Sequence, residues 1–328
     1  MVFSGRLPVA SDYPEIAALG KDELLNLSKS DPLFFHFKAL GLDNLWAGLI
    51  EIVYAVRDHE KVAVKSGHGI GKDFISSAIA TQFFNTYLPS IVITTGPTQR
   101  QVEDIMWGEI EQRYANSRML LGGRLLKKSV EVSGKHYMTG FTTKDFSGQG
   151  TGKMHGYHSP NLLVIITEAQ AVDDRVYGQV ESILTGGNAR LLIIGNAMEN
   201  SSQSYVDAFK KDSGYHCITL SCLDHPNVIT GKDIIPGAVT LRWVEDRRAA
   251  WGESSALWYS KVLGEFPKKS SGNLIFREDI ERCINSPYYF PGPRAWGVDI
   301  AGAGEDADSS AIAMAEGTRI YHCERFYG

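Results

Sequence analysis

Three short stretches carry residues whose types and spacing could do chemistry together. The first, Ser66-Gly67-His68-Gly69-Ile70-Gly71-Lys72-Asp73, is a glycine-dense turn that ends in a lysine. A loop of this kind aims successive backbone N–H groups at one point, a helix that follows adds the positive end of its dipole, and Lys72 can reach the terminal phosphates of a nucleotide. A triphosphate is the natural guest. The second stretch is Thr167-Glu168, which closes the apolar run NLLVII; a carboxylate at that place can orient an attacking water and take its proton. The third is Asn196, after LLIIG, where a carboxamide can sense a γ-phosphate. Compared with the strict pattern G-x-x-x-x-G-K-[ST], Ser66 replaces the first Gly and Asp73 the final Ser/Thr. A dinucleotide turn fits less well, since the glycines are spaced G-x-G-x-G and the lysine has no role there.

The elements that would position these groups follow from hydrophobic pattern. Val62, Ala63 and Val64 read as a buried strand before the loop, and 73–84 as the helix after it. A second strand at 91–95 breaks at Gly96-Pro97 and leads into a helix with Val102, Ile105, Met106 and Ile110 on one face. Residues 129–141 carry short alternating stretches, 147–156 is a glycine-dense loop, and 162–166 and 191–194 are further core strands. Residues 1–60 read as a helical lead-in, with Asp22 able to cap LLNLSKS and an apolar-periodic segment over 42–56. Strands alternating with helices predict an α/β fold, a mostly parallel sheet covered by helices, with ligands bound beyond the carboxyl ends of the strands.

Composition narrows the classes. The 328 residues, 43% hydrophobic and 22% charged, can bury a full core. Cys217, Cys222, Cys283 and Cys323 show no metal-ligand or disulfide-framework spacing, which suits a reducing cytoplasm. His68, His155 and His158 sit in glycine-rich loops without a third ligand, so loop packing is the expectation. No signal-peptide core and no membrane-length apolar run is visible. A net charge of -5 gives no global attraction to nucleic acid, leaving local patches at Arg124/Lys127/Lys128, Arg247-Arg248 and Lys268-Lys269.

Over most of its length the chain resembles the large terminase subunits of tailed bacteriophages. VAVKSGHGIGK resembles their phosphate loop, TTGPTQRQVEDIMWGEI the segment after their second strand, NLLVIITEAQAV their acidic strand and LLIIGNA their coupling motif. LSCLDHPNV, IIPGAVTLRWVEDRRAAWG and VLGEFP are similar to the connecting region, and WGVDIAGAGEDADSSAIA to the first strand of the RNase H-like nuclease. The resemblance implies a lead-in over 1–60, a P-loop ATPase core over 61–235, a connecting subdomain over 236–290 and the start of a nuclease over 291–328. In that scheme 66–73 and Lys72 hold the phosphates of ATP, Asp73 and Thr167 hold Mg²⁺, Glu168 activates water and Asn196 couples the phosphate to motion. A transition-state arginine would be Arg100, Arg175, Arg190 or one from a neighbouring subunit. The implied work is pumping double-stranded DNA into a procapsid. The implied partners are the portal protein, the small terminase subunit and further copies forming a ring, in the cytoplasm of the infected host and transiently at the portal.

Three departures stand out. Leu45-Trp46 is followed by Ala47 where the family has Trp-Gln; the pairs Lys72-Asp73 and Thr167-Glu168 replace Lys-Thr/Ser and Asp-Glu; and the chain stops at Gly328. Because a hydroxyl and a carboxylate have exchanged places, one of each remains to hold Mg²⁺, and a hydrogen bond between positions 73 and 167 is expected. Asp299, ending a strand at 294–300, with Asp306 and Asp308 after it, would begin a two-metal Mg²⁺ or Mn²⁺ nuclease site. With strands expected only near 309–315 and 318–326 beyond it, the rest of the nuclease would be missing or carried by a separate chain. Two rivals remain: a non-hydrolysing structural or DNA-binding remnant, and a helicase-like P-loop ATPase that remodels DNA outside packaging.

Overall fold

In the computed structural model the described residues are 6–143, 157, 159–267, 282–284, 289–300 and 310–326. They fall into two compact units, Met1–Ser271 and Gly272–Gly328. The expected glycine-dense loop at 147–156, His155, His158, Lys268, Lys269, Asp306 and Asp308 lie outside the described residues.

The first unit is built on an eight-stranded sheet. Its order is β3 (Arg124–Leu126), β4 (Ser129–Ser133), β5 (His136–Thr142), β2 (Ile91–Gly96), β6 (Asn161–Thr167), β7 (Asn188–Gly195), β1 (Lys61–Ser66) and β8 (His216–Leu220). From β5 to β8 every neighbouring pair is parallel, and β3 and β4 extend the edge as antiparallel strands. The expected α/β architecture is therefore the one found. The continuous apolar runs follow from burial on both faces, because successive side chains alternate sides. Leu163 and Ile165 of β6 join Val62, Val64, Ile75 and Phe84 in one core, whereas Leu162, Val164 and Ile166 join Ala63, Val176, Val180 and Tyr205 in the other. The strands expected at 91–95 and 162–166 are found to within a residue, whereas β1 runs two residues past the expected 64 and β7 starts three residues before the expected 191.

The structure differs from expectation at three local points. Asp22 does not cap the helix Lys21–Ser30: Gly20 is the capping position, its N–H held by Glu23 Oε2 at 2.8 Å, and Asp22 lies in the first turn, where its charge suits the dipole. Ile105 does not share the face of Val102, Met106 and Ile110, which are buried, but is 38% exposed. The cause is a π-helical turn, Gln101–Met106, ahead of the helix Trp107–Asn116; its wider turn rotates the residues off the regular helical stripe. Strand β8 was not anticipated, because the half-exposed HCITL lacks the apolar run of a central strand and sits at the sheet edge.

The second unit holds an antiparallel meander of β9 (Arg294–Asp299), β10 (Ser310–Glu316) and β11 (Arg319–Phe326), in the order β11, β10, β9. These are the strands expected over 294–300, 309–315 and 318–326. Gly317, at φ +57°, makes the tight turn between the last two. Asp299 closes β9 opposite Ala311.

Candidate functional site

Register alone brings the three chemical stretches together. Lys65 pairs with Gly195, and Thr167 with Ile194, so Ser66, the last residue of β1, lies at the same sheet edge as Glu168 and Asn196, the first residues after β6 and β7. The loop after β1 turns through Gly69 (φ +67°) and Gly71 (φ +95°), left-handed conformations that a side chain would strain. The helix Lys72–Thr86 begins immediately, so its dipole points at the loop.

A chain of hydrogen bonds ties the chemical groups to one another. Lys72 Nζ reaches Asn196 Oδ1 at 3.3 Å and Gly67 O at 3.4 Å, and Asn196 Nδ2 donates to Ser66 O at 2.6 Å. Gln170 then bridges the two remaining groups: its Oε1 accepts from Asn196 N at 3.1 Å and its Nε2 donates to Glu168 Oε2 at 2.7 Å. Glu168 itself stands in the left-handed region (φ 48°, ψ 41°), the outlier of a tight strand exit that turns the carboxylate off the sheet. Gln170 was not singled out from sequence; only its place two residues past Glu168 hinted at it. Its fit explains Gly195, where an added Cβ would come within 2.1 Å of Gln170 Oε1.

Two of the amides expected to hold phosphate are already committed. Gly67 N donates to Leu220 O and His68 N to Lys261 O, both at 2.9 Å. Among the described residues the amides of 69–72 have no acceptor, so the phosphate cradle narrows to that part of the loop and to Lys72. Burial lowers the pKa of Lys72, partly opposed by the nearby carboxylates of Glu168 and Asp73. Burial likewise raises the pKa of Asp73, an effect that Lys72 opposes. No hydrogen bond joins Asp73 to Thr167; the buried Thr167 Oγ1 donates instead to Thr95 O at 3.3 Å.

A cavity of about 610 Å³ opens on this cradle. It is lined by the polar groups of 69–73, Glu168 and Glu109 and by Trp46, Leu49, Ile105, His225 and 235–238. Trp46 is anchored by its Nε1, which donates to Ile70 O at 3.2 Å, and meets the His225 ring edge-on at 5.3 Å. Val239 N donates to Gly69 O at 2.8 Å, which pins the 235–239 segment to the loop. The shape suits a ligand with a charged and a flat apolar end. Nothing local in the sequence marks His225 or 235–238 as wall residues, since they lie some 150 positions or more beyond the loop.

None of the three arginines considered lines the cavity. Arg100 is exposed, Arg175 is exposed and held bidentately by Asp173 at 2.9 Å, and Arg190 lies toward the opposite end of β7, beside Leu163. Of the basic patches, Lys127 and Lys128 pair with Glu103 at 2.8 and 3.5 Å, Arg248 pairs with Glu253 at 2.7 Å, and Arg247 stacks over Trp243 and Trp251. No helix among the described residues is long and apolar enough to cross a membrane.

No protein-family model matches the chain. It is 27% identical over 282 residues to the probable terminase, large subunit, of Enterobacteria phage P7, an alignment covering 80% of this chain and 54% of that protein. The chain thus spans about half the length of this curated relative. Among solved structures it is similar to the large terminase of bacteriophage HK97, with a TM-score of 0.54 and 13% identity over 88% of this chain and 64% of the other. It is also similar to the large terminase of a thermophilic bacteriophage, with a TM-score of 0.53 and 11% identity over 86% of this chain and 69% of the other. A further structure of that thermophilic phage's terminase, with a TM-score of 0.51 and 11% identity over 82% of this chain and 64% of the other, is a complex with ADP. At these identities the structural likeness is one of fold. The resemblance to phage large terminase subunits therefore holds both in sequence and in architecture.

Proposed function

We propose that this chain is the ATP-hydrolysing motor subunit of a phage terminase and drives double-stranded DNA into a procapsid. The observation that carries the reading is the hydrogen-bond chain Glu168–Gln170–Asn196–Lys72 at three strand ends, whose two outer members, Glu168 and Lys72, line a cavity with unengaged amides. It supplies the parts phosphoryl transfer needs: a carboxylate to take a proton from water, a lysine and amides to neutralise phosphate charge, and a carboxamide touching both lysine and loop. ATP is the substrate that fits, with its phosphates on 69–72 and its base toward Trp46, Leu49 and 235–238. Similarity in fold to a large terminase solved in complex with ADP supports nucleotide binding here.

Mg²⁺ fits the donor set. Asp73 is a partly buried carboxylate on the cavity wall, and the buried Thr167 hydroxyl lies at the end of β6, one strand away from β1. Among the described residues no group of three or more His, Cys, Asp or Glu could hold a metal by itself, but Mg²⁺ at nucleotide sites takes one or two protein oxygens and completes its shell from phosphates and water. Bound there, it would neutralise charge developing on the phosphates.

The same reading places the subunit in a ring on the portal protein, with the small terminase subunit and DNA as partners, in the infected host's cytoplasm. Among the described residues no arginine lines the cavity, and the transition-state arginine would come from this chain or from a neighbouring copy. Lys72→Ala is expected to weaken ATP and ADP affinity by at least tenfold, the scale of a lost charge-assisted contact. The test is titration with a fluorescent nucleotide, and unchanged affinity would end the phosphate-loop assignment. Retained binding with no turnover in the parent would favour the non-hydrolysing reading, which the missing Asp73–Thr167 hydrogen bond motivates.

The second unit is proposed as part of an RNase H-like nuclease, and this chain is not expected to cut DNA. On its described strands Asp299 is the one carboxylate that the resemblance assigns to the two-metal site. Incubation with supercoiled plasmid and Mn²⁺ is expected to leave the plasmid intact. Nicking that vanishes in Asp299→Ala would show the opposite, and association with a separate chain that restores cutting would support a split nuclease.

A further inference from the structure

The helical turn Tyr259–Leu263, almost 200 positions after the phosphate loop, is fastened to it. Lys261 O accepts from His68 N at 2.9 Å, Cys222 Sγ donates to His68 O at 3.3 Å and to Lys261 O at 3.5 Å, and Ser221 Oγ donates to Val262 O at 3.3 Å. The approach is so close that a Cβ on Gly67 would lie 2.8 Å from Val262 O, and one on Gly264 2.7 Å from Ser66 Cα. The backbone of this turn therefore cannot shift without moving the loop.

That attachment delivers a second ammonium group to the site. Lys261 Nζ sits 3.2 Å from His68 Nε2, and among the described residues no carboxylate lies within ion-pair distance of it. His68 is held well below the usual histidine range, to about 4, first by burial and then by Lys261 and Lys72, so near neutral pH its Nε2 carries a lone pair and accepts from the lysine. Lys261 also contributes to lowering the pKa of Lys72, which places the two cations within electrostatic reach of each other. The carboxylate that both histidine and lysine sense, Glu168, is already held by Gln170. Lys261 thus stands as a second ammonium group beside the phosphate loop, resting on the ring of His68, next to a cavity that Lys72, Asp73 and Glu168 line.

We propose that Lys261 is a second phosphate-binding cation of this site, resting on His68 in the free chain and transferring to the terminal phosphate when a nucleoside triphosphate is bound. It follows that the 259–263 turn responds to whether the γ-phosphate is present, because the side chain that reads the phosphate and the backbone that grips the loop belong to one residue. The proposal rests on the nucleotide reading of the site and assigns it a residue from the connecting region.

The test compares affinities of the full chain for ADP and for a non-hydrolysable ATP analogue, in the parent, Lys261→Met and Lys261→Arg, with thermal midpoints measured alongside. Lys261→Met is expected to lose about tenfold or more in affinity for the triphosphate, the scale of one charge-assisted hydrogen bond, while ADP affinity stays within about twofold. Lys261→Arg is expected to recover most of the loss. Equal affinities in the parent and Lys261→Met would overturn the proposal. So would a parallel loss for both nucleotides, or a loss that Lys261→Arg does not repair, since either indicates a merely structural contact. A parent chain that binds neither nucleotide overturns the nucleotide site and this proposal with it; a parent that binds both but does not discriminate overturns this proposal alone.

Discussion

Glu168→Ala is expected to leave nucleotide affinity close to that of the parent and to slow ATP turnover by about 10²-fold or more, the scale of a lost general base. The carboxylate lies on the cavity wall but is not part of the amide and lysine cradle, so the ground-state contacts survive its removal. Its left-handed backbone and the bond from Gln170 Nε2, 2.7 Å from Oε2, fix one oxygen of the carboxylate. Truncation to alanine removes the proton acceptor while Gln170 Oε1 still holds Asn196 N, so the lysine end of the chain stays in register. Phosphate release measured at saturating ATP, beside nucleotide titration, separates the two quantities. Turnover at the parental rate would mean that Glu168 is not the base.

The second large effect concerns the exchanged pair. Asp73→Ala and Thr167→Ala are each expected to lower Mg²⁺-dependent turnover by roughly 10²-fold, corresponding to about 3 kcal/mol of transition-state stabilisation. The double exchange, Asp73→Thr with Thr167→Asp, is expected to restore most of it. Asp73 opens the helix after β1, and Thr167 ends β6, with only β7 between the two strands. The Thr167 hydroxyl is bonded to Thr95 O, and an added Cβ on Gly96 would come within 3.1 Å of that hydroxyl oxygen, so the position is tightly packed. Restoration by the double change therefore requires that the two sites share one ion rather than act separately, and its signature is strong non-additivity. Rates are to be measured across a Mg²⁺ titration. A double variant no faster than the slower single one would count decisively against a shared metal.

The chemistry of the loop and the layered fold were legible because both depend on local pattern. Glycines at 67, 69 and 71 before a lysine dictate a turn with left-handed positions and exposed amides, and the runs around Val62–Val64, Leu162–Ile166 and Leu191–Ile194 are too apolar for any place but a doubly covered sheet. Once those strands lie parallel, Lys72, Glu168 and Asn196 must meet at their carboxyl ends. Asp22 and Ile105 depart from the periodic expectation through a capping choice and a π-helical turn, neither of which hydrophobic periodicity registers.

What the tertiary structure decided is which groups are already occupied. Gly67 and His68 have the same loop chemistry as Gly69 and Ile70, yet their amides are committed to Leu220 and Lys261, more than 150 residues away. Gln170 became the bridge between Glu168 and Asn196, Thr167 turned to Thr95, and Trp46, His225 and 235–238 came together as one wall. Residue type and spacing determine what a group is able to bond; its actual partner depends on distances between segments remote in the chain, and those exist only after the sheet has closed and both cores have packed.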